Sequence, residues 1–420
     1  MNVAIYGLGY IGLPTAALIA SSETHVVGVD NNKNIIKNIN EGKIINFEAN
    51  LQETVLKALD SGYLSVTNEP SSADIYVITV PTPVGSNNVP DLSYVKQVTK
   101  TIAPMLMKGN MIILESTLPV GGTAKMIKWI IEERNDLHIP LYPTDDPKAI
   151  DIHIAYCPER VLPGNILNEL ISNDRIIGGL SLDCSDRAQS FYKKFVEGEC
   201  IKTNVKTAEF CKLVENSYRD VNIAFANELS LICYEEEINV WELINLANRH
   251  PRVNILQPGP GVGGHCIAID PWFIVDNNPN LARIIKMARI VNDSIPETVM
   301  SKVKKAMDDL FKVNNEIVIA TLGLAYKANV DDTRESPALE ISREIGRLDI
   351  DKQLVVEPNI SKLPEEFSDG KTMISPLANA ISEADIILLL VDHNEFLDID
   401  KSLLSGKVII DTKGIFAFDD

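Results

Sequence analysis

A glycine-rich turn near the start of the chain constrains its fold more than any other feature. Gly7, Gly9 and Gly12 follow a short apolar strand and open an apolar helix. Glycines in this arrangement permit a tight turn, close approach of the backbone to a pyrophosphate, and close packing of the helix on the strand. The next strand ends at Asp30, where a carboxylate would accept hydrogen bonds from ribose hydroxyls. The pattern therefore predicts a Rossmann-like domain that binds NAD.

Two later apolar strands extend the predicted sheet and end near hydroxylated side chains. The strand 73–80 is followed by Thr82, and the strand 111–114 is followed by Thr117. In an open α/β sheet the ligand binds at the carboxyl ends of the strands, so both threonines are candidate contacts to it. Ordinary turn chemistry would also account for either residue taken alone.

A long segment without Pro or Gly follows the first region of strands and helices. Residues 206–238 have helical spacing and predict one long helix. On this helix Lys212 and Asn216 are four residues apart and share a face, and Arg219 lies near that face. A solvated helix face would explain the pattern, and so would a polar ledge for an anionic sugar nucleotide.

The C-terminal region repeats the strand pattern of the N-terminal region. The apolar strand 384–391 resembles 73–80 in residue type and register, but this region lacks the glycine-rich turn. We therefore predict an α/β fold with two Rossmann-like, doubly wound lobes, joined by a long central helix and a helical dimerisation region. The predicted domains are a Rossmann-like NAD-binding domain (1–203), a central helical domain (204–305) and a second Rossmann-like domain (306–420).

Composition argues against several kinds of partner. The formal net charge is −19, which argues against nucleic acid or an anionic membrane surface. The six cysteines are scattered without a CxxC pair, so neither a zinc site nor a disulfide framework is expected. No apolar run has the length to span a bilayer, and the first residues enter a strand directly. We expect a protein of the reducing cytoplasm.

The sequence around one cysteine, Cys266, indicates a reactive thiol. Gly261, Gly263 and Gly264 come just before Cys266, and Asp270 follows four residues later. Glycines let a backbone approach a ligand closely and adopt positive φ, and a thiolate held in such a loop can attack a carbonyl carbon. Together with a nicotinamide site, this cysteine indicates an oxidation that passes through a thioester. A buried cysteine that serves only as a small apolar residue is the alternative.

Taken together, these motifs resemble one enzyme family. The chain is similar to the UDP-glucose/GDP-mannose dehydrogenase family over nearly its whole length. The matching motifs are the opening glycine turn, Val80-Pro81-Thr82-Pro83, Glu115-Ser116-Thr117, Cys157-Pro158-Glu159-Arg160, Lys212 with Asn216, Gly263-Gly264-His265-Cys266, Gly323-Leu324-Ala325-Tyr326-Lys327 and Asp332-Thr333-Arg334-Glu335-Ser336-Pro337. The stretches 156–164 and 250–260 resemble the members that oxidise UDP-N-acetyl-D-mannosamine. Members that act on UDP-N-acetylglucosamine or UDP-glucose are the alternative.

The resemblance implies a two-step, four-electron oxidation of the C6 hydroxyl of the sugar, with two NAD consumed. Cys266 would form a thiohemiacetal with the intermediate aldehyde and then a thioester. Lys212 would be the acid/base or the stabiliser of the developing oxyanion. Asn216 would donate a hydrogen bond to the same charge.

Hydrolysis of the thioester would complete the implied reaction. The resemblance implies that Asp270 and Thr117 position the hydrolytic water and that Glu159 is a candidate base. The main general base stays open between Lys212 and Glu159, since a lysine base needs a lowered pKa.

The resemblance also implies two sets of binding residues. The cofactor contacts would be Gly7, Gly9, Tyr10, Ile11, Gly12, Asp30, Thr82, Thr117 and Arg334. The substrate contacts would be Arg160, Val161, Lys212, Asn216, Arg219, His250, Arg252, Gly263, Tyr326 and Lys327. The resemblance implies a homodimer or homotetramer whose C-terminal domain binds the UDP-sugar, and in this family Arg252 could act across a subunit interface. Arg334 could instead pair with Asp331 or Asp332, and no metal is expected.

Two other classes of protein are compatible with two α/β lobes. A decarboxylating or simple alcohol dehydrogenase of the 6-phosphogluconate type would need no cysteine and would make one NADH per turnover. A non-catalytic sensor of nucleotide sugars would have kept the fold and lost the chemistry. The presence of Cys266, Lys212, Asn216 and Asp270 counts against the sensor.

Overall fold

The computed structural model of the protein describes residues 1–44, 50–85, 87–141, 150–161, 164–264, 266–310, 312–365, 367 and 370–416. Of the motif residues named above, Leu162, Pro163 and His265 lie outside the described residues. The chain divides into two compact units. Unit 1 consists of Met1–Glu215 with Trp272–Pro279, and unit 2 of Asn216–Pro271 with Asn280–Asp420.

One sheet organises unit 1. Its strands in the described residues are β1 (Asn2–Tyr6), β2 (His25–Val29), β3 (Leu64–Thr67), β4 (Ile75–Ile78), β5 (Met111–Leu114), β6 (His153–Tyr156), β7 (Arg175–Gly179) and β8 (Cys200–Asn204). They lie in the order β3-β2-β1-β4-β5-β6-β7-β8. Neighbouring strands are parallel except β6 and β7, which are antiparallel.

Helices cover both faces of this sheet. Those before the long central helix are α1 (Gly12–Ser21), α2 (Lys33–Asn40), α3 (Leu51–Asp60), α4 (Ser93–Ile102), α5 (Gly122–Glu133), α6 (Ile166–Ser172) and α7 (Leu182–Tyr192). Along β1, Val3 and Ile5 belong to one buried apolar cluster and Ala4 and Tyr6 to another. This alternation is expected when a parallel sheet is covered on both sides.

A second, smaller sheet organises the C-terminal part of unit 2. Its strands are β9 (Val318–Leu322), β10 (Lys352–Val356), β11 (Thr372–Ile374), β12 (Ile386–Leu389) and β13 (Val408–Asp411). They are all parallel and lie in the order β11-β10-β9-β12-β13. This order repeats that of β3-β2-β1-β4-β5, which confirms the two predicted Rossmann-like lobes.

The remaining helices begin with the predicted long one. They are α8 (Val205–Glu235), α9 (Val240–Ala247), α10 (Asp270–Asn277), α11 (Arg283–Asp309), α12 (Pro337–Gly346), α13 (Leu377–Glu383) and α14 (Asn394–Leu397). None of the helices in the described ranges is both long and apolar enough to cross a membrane. The boundary between the two units falls within α8, after Glu215. The predicted division into three domains (1–203, 204–305 and 306–420) stays a prediction.

A buried polar network joins α8 to α11 in unit 2. The Asp220 carboxylate accepts hydrogen bonds from Arg289 Nη1 at 2.5 Å and from Asn292 Nδ2 at 2.8 Å. Asn227 Nδ2 donates to Asn292 Oδ1 at 2.8 Å. All four side chains are almost fully buried. Burial raises the pKa of Asp220, and the positive charge of Arg289 opposes that shift.

Arg289→Ala is expected to lower the free energy of unfolding by about 3–5 kcal/mol, because it leaves the Asp220 carboxylate buried without its cation. Arg283→Ala is the matched control, since Arg283 is exposed at the start of the same helix. Urea denaturation of both variants measures the difference. Equal losses in the two variants would show that the buried ion pair does not stabilise the fold.

Candidate active site

The glycine-rich turn has the geometry of a dinucleotide site. Gly7 has a φ of +98°, which an L side chain rarely adopts. A Cβ on Gly12 would lie 1.8 Å from the Gly7 carbonyl oxygen, whereas a Cβ on Gly9 would meet no heavy atom within 4 Å. Gly12 therefore packs the helix on the strand, and the backbone at Gly9 is open to a ligand. These are the separate roles that the fingerprint predicts.

The first turn of α1 suits a phosphate. Ile11 is its N-cap residue and makes no side-chain cap hydrogen bond, and the first turn contains no acidic residue. The amide groups of a helix N-terminus attract anions, so this end fits the pyrophosphate of NAD. Tyr10 and Ile11 are half-buried beside it. When bound there, NAD would supply the hydride acceptor for the oxidation.

The Asp30 carboxylate supports the same turn. Its Oδ2 accepts a hydrogen bond from the Leu8 amide, and its Oδ1 accepts one from the Asn32 amide, each at 2.8 Å. Each carboxylate oxygen can accept a further bond, so Asp30 keeps capacity for ribose hydroxyls. Thr82 and Thr117 are half-buried and follow β4 and β5. Their predicted contact with the cofactor stays a prediction.

Two charged candidates for catalysis come together in unit 1. Glu159 and Lys212 are both buried, and Glu159 Oε1 accepts a hydrogen bond from the Val161 amide. Burial raises the pKa of Glu159 above its ordinary value of 4.5, and the positive charges of Lys212 and Arg175 only partly oppose this. A carboxyl group with a raised pKa is suited to exchange protons during a reaction.

Arg175 is a residue that the sequence did not reveal. It is buried in β7, where Nη1 donates to Glu115 Oε1 at 3.3 Å and the guanidinium lies 4.6 Å from the ring centroid of Tyr192. The Tyr192 hydroxyl donates to Glu115 Oε1 at 2.6 Å. Arg175 thus holds a structural pair with Glu115 while its charge also acts on Glu159. No local pattern marks it, because 60 residues separate Arg175 from Glu115.

In unit 2, three predicted catalytic residues are linked. Asn216 Nδ2 donates to Asp270 Oδ2 at 2.5 Å. Asp270 is buried at the first position of α10, and its amide donates to the Cys266 carbonyl at 2.9 Å. Cys266 itself is exposed, which excludes the alternative of a buried apolar cysteine. The hydrogen bond from the Asp270 amide, at the start of α10, therefore holds Cys266 one turn before Asp270. The Asp270 carboxylate in turn is held by the side-chain amide of Asn216.

The glycines before Cys266 have the predicted backbone geometry. Gly261 and Gly264 have φ values of +132° and +82°. Their close neighbours within unit 2 are side chains of the protein: a Cβ on Gly261 would lie 3.1 Å from Pro337, and one on Gly264 would lie 3.2 Å from the Tyr326 ring. These glycines therefore let the loop approach another segment of the protein closely, and their close approach to a ligand stays a prediction.

The predicted substrate contacts of unit 1 differ in how they are held. The Arg160 guanidinium makes a bidentate pair with Glu215, at 3.0 Å and 2.7 Å, and also donates to the Asp174 carbonyl. Val161 is half-buried beside Glu159. The pair with Glu215 therefore orients Arg160.

In unit 2 the predicted contacts are more open. Arg219, His250, Arg252 and Lys327 are exposed, and Tyr326 is half-buried. His250 Nδ1 accepts a hydrogen bond from the Arg252 amide at 3.3 Å. The roles of these residues stay predictions.

For Arg334 the sequence predicts either contact with a phosphate or a pair with a neighbouring aspartate. Its Nε and Nη2 donate to the Asp332 carboxylate at 2.8 Å and 2.6 Å. The structure therefore shows the pair with Asp332, and contact between Arg334 and the cofactor stays a prediction. In the part of the chain that the structure describes, no group of three or more His, Cys, Asp or Glu residues could hold a metal ion.

Comparisons with known proteins agree with this architecture. Three sequence models match the chain: the NAD binding domain (residues 1–196), the central domain (206–294) and the UDP binding domain (320–418) of the UDP-glucose/GDP-mannose dehydrogenase family. The fold and the site thus define an NAD-dependent nucleotide-sugar dehydrogenase with a UDP-sugar as substrate. The chain belongs to the UDP-glucose/GDP-mannose dehydrogenase family, as the sequence motifs predicted.

Three relatives are similar over almost their whole length. The chain is 52% identical to UDP-N-acetyl-D-mannosamine dehydrogenase of Yersinia pestis, with 99% of each chain covered. It is 52% identical to NDP-N-acetyl-D-galactosaminuronic acid dehydrogenase of Ralstonia nicotianae, covering 99% of this chain and 96% of that protein. A solved structure of UDP-D-ManNAc dehydrogenase from Pyrococcus horikoshii has a TM-score of 0.87 at 37% identity, covering 99% and 96% of the two chains.

Proposed function

We propose that this protein oxidises the C6 hydroxyl of UDP-N-acetyl-D-mannosamine to the carboxylate of UDP-N-acetyl-D-mannosaminuronic acid, with two NAD per turnover. The observation that carries the proposal is the full-length similarity to the Yersinia pestis enzyme, with Cys266, Lys212, Asn216 and Asp270 all present. The reaction belongs in the cytoplasm, where NAD and nucleotide sugars are available.

The first oxidation needs a base at the C6 hydroxyl. Lys212 is buried on α8, where it can accept the hydroxyl proton or stabilise the alkoxide. Asn216 lies one turn further along the helix and donates a hydrogen bond to the developing oxyanion, while its contact with Asp270 orients its amide. The hydride leaves C6 as the carbonyl forms.

The second oxidation and the hydrolysis use the cysteine. The Cys266 thiolate adds to the aldehyde carbon, and the thiohemiacetal loses its hydroxyl proton and a second hydride to become a thioester. Asp270 and Thr117 position the water that attacks the thioester. Glu159 accepts a proton from that water, for which its carboxyl must be ionised. The carbon–sulfur bond then breaks, which releases the carboxylate product and regenerates the Cys266 thiolate.

The remaining predicted contacts bind the substrate. Arg160 and Val161 contact the sugar nucleotide from the loop after β6, and Arg219 supplies positive charge near the diphosphate. His250 and Gly263 adjoin the sugar or diphosphate, and Arg252 reaches a neighbouring subunit's substrate. Lys327 and Arg334 contact the nucleotides from the C-terminal domain.

The substrate is tested by comparing kcat/KM for four sugar nucleotides. UDP-N-acetylmannosamine, UDP-N-acetylglucosamine, UDP-glucose and UDP-N-acetylgalactosamine are offered separately, and NADH formation is followed. UDP-N-acetylgalactosamine is included because the chain is as similar to the NDP-N-acetyl-D-galactosaminuronic acid dehydrogenase of Ralstonia nicotianae as it is to the Yersinia pestis enzyme, at 52% identity each. We expect UDP-N-acetylmannosamine to be preferred by about 10-fold or more, since a wrongly placed polar group in a pocket costs over 1 kcal/mol. Preference for any other sugar would overturn the substrate assignment and keep the enzyme class.

The pH dependence of the rate tests the role of Glu159. Since burial raises its pKa above 4.5 and the ionised form is the base, the rate should fall with decreasing pH at a higher pH than for an ordinary glutamate. Glu159→Gln should lower kcat by about 10²–10⁴-fold and abolish this acid limb. The control is Glu132→Gln, at an exposed position on α5. An unchanged acid limb in Glu159→Gln would assign it to another group.

We propose that the protein is a homo-oligomer, with α8 at the interface. Five exposed apolar residues of this helix follow helical spacing along one stripe and are between 43% and 70% exposed: Phe210, Val214, Tyr218, Phe225 and Ile232. The exposed ring of Tyr234 lies outside this stripe. An exposed stripe of this kind marks a contact surface, and a second copy of the chain would cover it.

Phe225→Asp is expected to reduce the molar mass measured by light scattering to that of a monomer, because it would bury a carboxylate at the interface. Leu397→Asp is the control, since Leu397 is similarly exposed on α14. A monomeric wild-type protein would contradict the proposal.

A further inference from the structure

The glycine run before Cys266 lies directly on Tyr326. A Cβ on Gly264 would lie 3.2 Å from both Cδ2 and Cε2 of the Tyr326 ring, and a Cβ on Gly263 would lie 3.1 Å from Tyr326 Cβ. On Gly263 it would also lie 2.5 Å from the Glu335 carbonyl oxygen and 2.7 Å from Pro337 Cδ. At these positions only glycine lets the loop approach the segment so closely.

The segment that carries Tyr326 is itself firmly held. The Tyr326 amide donates to the Asp332 carbonyl at 3.0 Å. The amides of Leu324 and Ala325 donate to Glu357 Oε2 at 2.7 Å and 3.2 Å, and Glu357 is buried. Hydrogen bonds of the backbone therefore fix the segment from which the Tyr326 ring packs against the glycine loop.

The supported loop leads directly to the proposed nucleophile. Gly264 is two residues before Cys266. The Cys266 carbonyl accepts a hydrogen bond from the Asp270 amide at 2.9 Å. The Tyr326 ring therefore packs against the loop on the N-terminal side of Cys266, and the Asp270 amide at the start of α10 holds the loop at Cys266 itself. A displacement of about 1 Å of a reacting group can reduce a rate about 10²-fold, so this support bears on the reaction of the thiolate.

We infer that Tyr326 is a positioning residue whose ring holds the Cys266 loop so that the thiolate captures the aldehyde before it is released. The inference rests on the proposed function. In the capture step the Cys266 sulfur forms a bond to the aldehyde carbon, the π electron pair of the carbonyl moves to its oxygen, and that oxygen takes a proton. Oxidation to the thioester then removes the proton from this oxygen and a hydride from this carbon, and NAD, when bound, would accept the hydride. The contrasting role, direct contact of Tyr326 with the substrate, would affect binding instead of aldehyde capture.

The experiment measures how the aldehyde partitions. Wild type, Tyr326→Phe and Tyr326→Ala are given limiting UDP-N-acetylmannosamine, excess NAD and semicarbazide, which converts free aldehyde to a semicarbazone with loss of water. We expect wild type and Tyr326→Phe, which keeps the ring, to yield two NADH per sugar and no semicarbazone. Tyr326→Ala should approach one NADH per sugar, with the semicarbazone found by mass spectrometry and KM within about twofold of wild type.

Two results would overturn the inference. A ratio of two NADH per sugar in Tyr326→Ala, with KM raised about 10-fold or more, would show that Tyr326 binds substrate. An unchanged ratio with unchanged KM would show that the ring has no role in the reaction. Tyr326→Leu replaces Tyr326→Ala if the alanine variant does not fold, because it keeps an apolar contact while removing the flat ring.

The rate of Cys266 alkylation by iodoacetamide gives a readout without turnover. It should change at least about twofold in Tyr326→Ala and stay at the wild-type value in Tyr326→Phe. Equal alkylation rates in all three proteins would also overturn the inference. If the wild-type protein oxidises none of the UDP-sugars, the proposed function fails, whereas an active wild type with an unaffected variant refutes only the role of Tyr326.

Discussion

Cys266→Ser is expected to reduce formation of the uronic acid by about 10³-fold or more, because a serine hydroxyl is a poor nucleophile at neutral pH without a dedicated base. The Cys266 side chain is exposed, so the substitution should leave the melting temperature unchanged. The measurement is the rate of acid formation, followed by mass spectrometry together with NADH.

The matched control for this variant is Cys211→Ser. Cys211 is half-buried on α8 and has no proposed role in the reaction. We expect it to retain the wild-type rate. A Cys266→Ser protein that forms the uronic acid at the wild-type rate would remove the thioester from the mechanism, and the second oxidation would then proceed without a covalent bond to Cys266.

Gly12→Ala is expected to lower the free energy of unfolding by about 3 kcal/mol or more, because its Cβ has no room. That atom would lie 1.8 Å from the Gly7 carbonyl oxygen and 2.6 Å from Thr79 Oγ1. Thr79 Oγ1 already donates to the Gly7 carbonyl at 2.8 Å, so neither group can move aside without losing this bond. Urea denaturation measures the loss.

Gly9→Ala separates binding from folding at the same turn. A Cβ there would meet no atom of the protein within 4 Å, so we expect a change in unfolding free energy below about 0.5 kcal/mol. The added methyl group would meet the pyrophosphate and should raise the Kd for NAD about 10-fold, equivalent to about 1.4 kcal/mol. Calorimetric titration with NAD measures this. Wild-type affinity in Gly9→Ala would contradict the proposed position of the pyrophosphate.

The main architecture could be predicted from the sequence because it follows from local pattern. The long helix α8 was predicted because residues 206–238 contain no helix breaker, and the structure has it at Val205–Glu235. The strand predicted at 73–80 is shorter, Ile75–Ile78. Its apolar run extends further, but its pairing with β1 ends where Ile78 meets Tyr6. Strand ends depend on the partner strand, which a single segment does not reveal.

Other features depend on long-range contacts that the sequence does not show. Asp220 and Arg289 have the spacing of ordinary charged helix positions, yet they form a buried pair across 69 residues of sequence. Arg175 likewise looks like the first residue of an apolar strand, and only the fold brings its charge near Glu159. The sequence shows the glycines before Cys266, but it does not show that the Tyr326 ring packs against them. In each case the partner is selected by packing and not by sequence spacing.

The central claim is a four-electron oxidation, and the most direct test is the yield of NADH from a limiting amount of UDP-N-acetylmannosamine. With excess NAD and the wild-type protein, we predict two NADH and one uronic acid for each sugar consumed. One NADH per sugar, with the sugar recovered as an aldehyde or ketone, would contradict both the thioester route through Cys266 and the proposed product.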